Sequence, residues 1–201
     1  MDNEWTIRPK IGFGLISFGM TVEGVAGVSS VYGPLDTVTE DADLSAGLDD
    51  TFALFSQFAT EEDLAAVRAA VEEKAGQQGR QEIYNGGRVF VMYEAGRVAS
   101  VMTSVRENRT NLNDTLLFDL PAVDALKLLE RANGAPGRYR STGAAFDNIA
   151  VTTDAFSIVT RGQVTPLAAS DERFAERTIE AQADAYNPPE EAESWIIHSF
   201  L

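Results

Sequence analysis

The chain has 201 residues, with 16 Lys+Arg against 31 Asp+Glu, a formal net charge of −15, one histidine and no cysteine. Disulfide scaffolds, zinc ribbons, iron–sulfur centres and thiol nucleophiles are excluded for want of Cys, and a triad or multi-His metal site would rest on His198 alone. The charge argues against direct binding to a phosphate backbone, which depends on basic side chains displacing counterions. An apolar content of 44% and a charged content of 23% fit a globular chain with a core of its own. The N-terminal ten residues lack the apolar stretch of a signal peptide, and no apolar run is long enough to span a bilayer, so a cytoplasmic protein is expected.

In chain order, the first expected helix is capped by Thr21, carries Glu23 in its first turn and Val22, Val25 and Ala26 on one face, and is stopped by Gly33-Pro34. The second runs from Thr60, with Asp63 completing a capping pattern and Leu64, Val67 and Val71 as its stripe, to Gly76. Gln81 to Tyr84, Arg88 to Tyr93 and Arg97 to Val105 alternate in polarity around Asn85-Gly86-Gly87 and Glu94-Ala95-Gly96, which predicts an antiparallel meander with Val89, Val91 and Tyr93 on one face. A third helix is expected from an Asp119 cap to Asn133-Gly134. Phe146 to Thr152 and Ala155 to Thr160 read as a hairpin turning at Thr153-Asp154, with Val164 to Leu167 as a third strand. Ser170 caps a last helix to about Ala185, and an apolar tail runs from Trp195 to Leu201. The expected fold class is α+β, two α-then-β units with helices packed on antiparallel sheet. The divisions are 1–110, 111–168 and 169–201 within one globule.

Gly12-Phe13-Gly14 opens like a dinucleotide fingerprint, but Ser17 holds the third glycine's place, so a structural turn is the better reading. The longer pattern Gly12-x-Gly14-x-Ile16-x-Phe18-Gly19-Met20-Thr21, then Val25 and Gly33-Pro34, resembles the opening of small bacterial α/β proteins. These include BamE/SmpA-like and β-lactamase-inhibitor-like domains and immunity-type proteins. Gly87-Arg88-Val89 to Gly96-Arg97-Val98 resembles their hairpins. The resemblance covers some 60 residues and implies a binding protein, without the lipidated Cys of the envelope members.

From Ile11 to Val67 there is no Lys or Arg, yet there are ten acids. Asp36, Glu40, Asp41, Asp43, Asp49 and Asp50 are the candidate partner-binding residues, an acidic face that would attract a basic partner. Asp41 to Phe52 mimics a calcium loop but lacks the sixth-position Gly and the final Glu. Neither Asp49-Asp50 nor Glu61 with Asp63 shows the shared cleft that acid–base work needs, and Arg106, Arg109, Arg138 and Arg140 are a candidate basic patch. No catalytic residue, cofactor or metal is assigned. The expectation is a cytoplasmic immunity protein that neutralises a cognate toxin or effector, a basic nuclease-type domain, by stoichiometric contact. The alternative is a non-catalytic BamE-like scaffold held by sheet or tail contacts.

Overall fold

The computed structural model describes residues 3–40, 79–186 and 194–201. It is built around one nine-stranded, wholly antiparallel sheet. In chain order its strands are β4 (Leu35–Glu40), β5 (Gly79–Tyr84), β6 (Val89–Glu94), β7 (Arg97–Ser104), β10 (Gly137–Arg140), β11 (Gly143–Phe146), β12 (Val151–Asp154), β15 (Thr178–Gln182) and β16 (Ile196–His198). Across the sheet they lie in the order β16-β10-β11-β12-β15-β7-β6-β5-β4, so the central β7–β15 pair has a short meander on each side.

Three small hairpin units sit outside it. These are β1 (Ile7–Arg8) with β2 (Gly12–Phe13) and β3 (Ile16–Ser17), β8 (Asn111–Leu112) with β9 (Thr115–Leu116), and β13 (Ser157–Thr160) with β14 (Gln163–Pro166). Among the described residues the α-helices are α1 (Val22–Ala26) and α2 (Ala122–Asn133). The molecule is therefore mostly β, and the expected α+β architecture of two helix-packed α-then-β units is overturned.

The meander β5–β6–β7 follows from local chemistry. Ala95 and Gly96 alone join β6 to β7, both with positive φ (48° and 71°), the backbone that matches strand twist in a two-residue hairpin. Asn113-Asp114 and Arg161-Gly162 make the same kind of turn, which creates the β8–β9 and β13–β14 hairpins. Val89, Val91 and Tyr93 are buried on one face of β6, while Phe90 and Met92 are half-buried on the other, as the alternation predicts.

The Thr21 cap holds: its hydroxyl accepts the Gly24 N–H at 3.2 Å. The helix it opens lasts only five residues, with Gly24 inside it and Gly27 at its C-cap. Gly14 is explained by packing. It takes φ +52°, and a Cβ there would fall 1.8 Å from the Glu4 carbonyl oxygen. Gly12 and Phe13 form β2, so this opening is a structural turn beside Tyr32, whose hydroxyl accepts from Leu15 N at 2.7 Å and donates to Phe13 O at 3.2 Å.

Three further expectations are corrected. The third helix begins after Pro121, not at an Asp119 cap, and no side chain caps it; Gly134, left-handed at φ 66°, ends it as expected. The hairpin placed at Thr153-Asp154 turns earlier, at residues 147–150, so that Val151–Asp154 is strand. The last helix is replaced by a 3-10 turn (Glu172–Glu176), capped by Asp171, and by β15 at the centre of the sheet. Asp171 sits at a pKa of about 2 because Arg173 donates to it from both side chain and backbone. In β15 only Ile179 and Ala181 are buried, a period-2 pattern that Ala, Glu and Gln propensities masked. The second expected helix lies outside the described residues.

The core fills the space between one sheet face and α2 with the small hairpins. Leu126 and Leu129 of α2, Tyr139, Phe146 and Phe156, and Val89, Val91 and Tyr93 of β6 belong to it. Each such aliphatic side chain contributes roughly 1.5–3 kcal/mol by leaving water. Arg177 is buried with it, lying 3.6 Å from the Phe174 ring centroid and donating to Phe118 O at 3.0 Å. Burial lowers its pKa from the ordinary arginine value, and Asp119 offsets this only in part.

Candidate partner-binding surface

Of the six acids singled out by sequence, Asp36 and Glu40 are described. Both lie on β4, the edge strand among the described residues, and every residue of that strand is exposed. Asp36 Oδ2 accepts the Gly86 N–H, and Glu40 pairs with Arg80. Asp41, Asp43, Asp49 and Asp50 lie outside the described residues, as do the calcium-loop mimic from Asp43 onward, Glu61 and Asp63. The candidate basic patch does not assemble. Arg138 and Arg140 sit on β10, separated by β11, β12 and β15 from β7, after which Arg106 and Arg109 follow. Arg109 pairs with buried Glu107 and lies 3.8 Å from the Trp5 ring centroid, while Arg138 is bidentate to Asp147.

A more concave acidic feature lies on the sheet face turned away from the core. Met92 pairs with Ser100 but its neighbour Tyr93 pairs with Val98, so Ala99 is an extra residue in β7. Such a bulge bends and twists the strand locally. The Ala99 carbonyl accepts the Ala183 N–H at 2.9 Å, which draws the end of β15 alongside. Between them is an open groove of about 470 Å³, whose described lining includes Met92, Glu94, Ser100, Glu180, Asp184 and Tyr186 and no basic residue. Glu180 is held at its floor by Ser100 Oγ, which donates at 2.5 Å. Glu94 and Asp184 are exposed at the rim. Register places Glu94 opposite Gly79 and Glu40 opposite Arg80, so Glu40 lies at the same end of the sheet as Glu94.

Sequence reasoning missed Glu94, Glu180 and Asp184. Glu180 and Asp184 were assigned to a helix, and only the alternation Thr178-Ile179-Glu180-Ala181-Gln182 could have put Glu180 on a sheet face.

Beneath this wing Glu82 is buried and accepts from Tyr84 Oη at 2.7 Å, Tyr93 Oη at 2.6 Å and Arg80 Nη2 at 2.8 Å. Desolvation alone would raise its pKa, but the bonds from Tyr93, Tyr84 and Arg80 outweigh it and hold the carboxyl below its ordinary value. The same arrangement pushes both tyrosines well above theirs, through burial first and the carboxylate second. Four hydrogen-bonding groups thus satisfy one another. This is a structural network.

No protein family, curated protein or solved structure matches this chain. Its own geometry carries the functional reading. Among the described residues no group of three or more acidic or His side chains is arranged to hold a metal, and no helix is long and apolar enough to cross a membrane.

Proposed function

We propose that this chain is a cytoplasmic, non-catalytic binding protein of the immunity type, which neutralises a basic toxin or effector domain by stoichiometric contact. The observation that carries this reading is the groove between β6, β7 and the end of β15, which Glu94, Glu180 and Asp184 line with no basic residue among the described lining. It suits a Lys or Arg side chain of the partner, whose stem would lie on Met92 and Tyr186 while its charge meets Glu94 and Asp184. The overall charge of −15 would speed encounter with such a partner. Resemblance of the Gly12 to Thr21 opening to immunity-type proteins points the same way. A scaffold held by its C-terminal tail has less support, because β16 pairs with β10 of its own sheet.

The test is the association rate with the product of the gene beside this one, measured for the native chain and for the double variant Glu94→Lys/Asp184→Lys. Both side chains are exposed, so the fold should survive. The variant is expected to associate about tenfold more slowly at low salt, with the gap closing as salt screens the charges. An unchanged rate removes the groove from the interface, and no binding by the native chain removes that partner.

A further inference from the structure

The reading just given names a charge complement but not the form in which a partner presents it. The two edges of the nine-stranded sheet suggest one. At one edge β16 has three residues and is tied to the core: Glu130 accepts the Phe200 N–H at 3.1 Å and the Ser199 hydroxyl at 2.9 Å. At the other, β4 has six residues, pairs only with β5 among the described strands, and is exposed along its whole length, with Leu35 at 49% and Val38 at 41%. An edge strand carries a row of backbone N–H and C=O groups that a further strand can pair with.

Register fixes what an incoming strand would meet. Val38 lies opposite Glu82 and Glu40 opposite Arg80, so these side chains continue the core face of the sheet outward, while Thr37 and Thr39 continue the face of Ile83 and Gln81. Val38 is thus the open end of the core layer, with Asp36 and Glu40 two residues to either side. A second copy of this chain is a poor occupant. Antiparallel pairing centred on Val38 would set Asp36 against Glu40 twice, and directly opposed like charges destabilise a strand pair.

We infer that β4 is a strand-addition site for an extended segment of the partner, bearing an apolar residue to cover Val38 and Lys or Arg two positions to either side. The inference rests on the basic-partner reading and adds to it a second contact, in which backbone hydrogen bonds supply affinity and the alternating side chains supply selectivity.

The experiment uses the full chain, isotopically labelled, and titrates it with the synthetic peptide Thr-Lys-Thr-Val-Thr-Lys-Thr, which sets lysines two positions to either side of a valine, while backbone amide shifts are followed. Controls are a peptide of the same composition in which neither lysine lies two positions from the valine, and one with glutamate in place of both lysines. Saturable shifts along residues 35–40, from the peptide with lysines two positions to either side of its valine and from neither control, are expected. The double variant Val38→Lys/Glu40→Lys should weaken binding about tenfold, whereas Glu172→Lys/Glu176→Lys, which reverses two exposed charges elsewhere, should weaken it less than about threefold. Equal weakening by both variants, or shifts confined to the groove residues, overturns strand addition and leaves the basic-partner reading standing. Shifts of β4 that grow with protein concentration without peptide would make the occupant a second copy. Failure of every basic ligand to bind, including the neighbouring gene product, would sink the basic-partner reading itself.

Discussion

Glu82, on β5, and Glu130, on α2, are both buried, against opposite wings of the sheet, and are made tolerable by different means. Each is a buried carboxylate that accepts a tyrosine hydroxyl, from Tyr84 and Tyr93 in one case and from Tyr139, at 3.1 Å, in the other. Glu82 is also met by a guanidinium, and all its partners lie on β5 and β6, within eleven residues. Among the described residues Glu130 has no guanidinium or ammonium in its network. Its remaining bonds come from Ser199 and Phe200, some 70 residues further along the chain. A buried charge can thus be neutralised by a neighbouring hairpin, or shared among neutral donors that a distant segment must bring. In the second case the carboxylate anchors that segment, and Phe200 and His198 then stack edge-on against Tyr139.

The contrast can be broken most forcefully at Glu82. Glu82→Ala strands the Arg80 guanidinium and two tyrosine hydroxyls, and denaturant unfolding is expected to show a loss of about 3–5 kcal/mol. Glu130→Gln keeps the shape but sets an amide among donors that had a carboxylate, and should cost about 1–3 kcal/mol. If the anchoring argument is right, hydrogen exchange at Phe200 will rise in that variant more than exchange in β5–β7. Removal of residues 195–201 should then destabilise the Glu130→Gln chain less than the native one. Equal losses in the two backgrounds would mean that the tail is held by its stacking alone.

A third prediction uses pH. The folded-state pKa of Glu82 is depressed below 4.5, so its contribution to stability is fully present above that value and is lost as pH falls through the folded-state pKa. Unfolding free energy measured against pH should therefore fall more steeply below about pH 4.5 in the native chain than in Glu82→Gln. Parallel curves would show that the network does not favour the ionised carboxyl. The smallest effect belongs to the exposed Glu40–Arg80 pair: Glu40→Ala should cost less than about 1 kcal/mol, since the carboxylate is 63% exposed and Arg80 keeps Glu82.

The sequence by itself determined the pieces whose chemistry is local. Asn85-Gly86-Gly87 and Ala95-Gly96 bend the backbone through positive φ, so β5, β6 and β7 could be drawn with nearly correct ends. Thr21 and Gly134 punctuate helices through hydrogen bonds and a left-handed residue that depend on their immediate neighbours. Asn113-Asp114 carried the same kind of signal and went unread, because the strands it joins have two residues each, whereas the strands expected on either side of Arg161-Gly162 are present as β13 and β14. The tertiary structure decided the rest. Thr178–Gln182 has helix-forming composition, but β12 and β7 lie on either side of it and supply ladder hydrogen bonds that outweigh a propensity worth only tenths of a kcal/mol per residue. With that strand in place, Glu180 and Asp184 came beside Glu94, and the acidic groove exists only because of it. Charge could be counted along the chain, but a surface is made of residues that sequence holds apart, and only the pairing of distant strands brings them together.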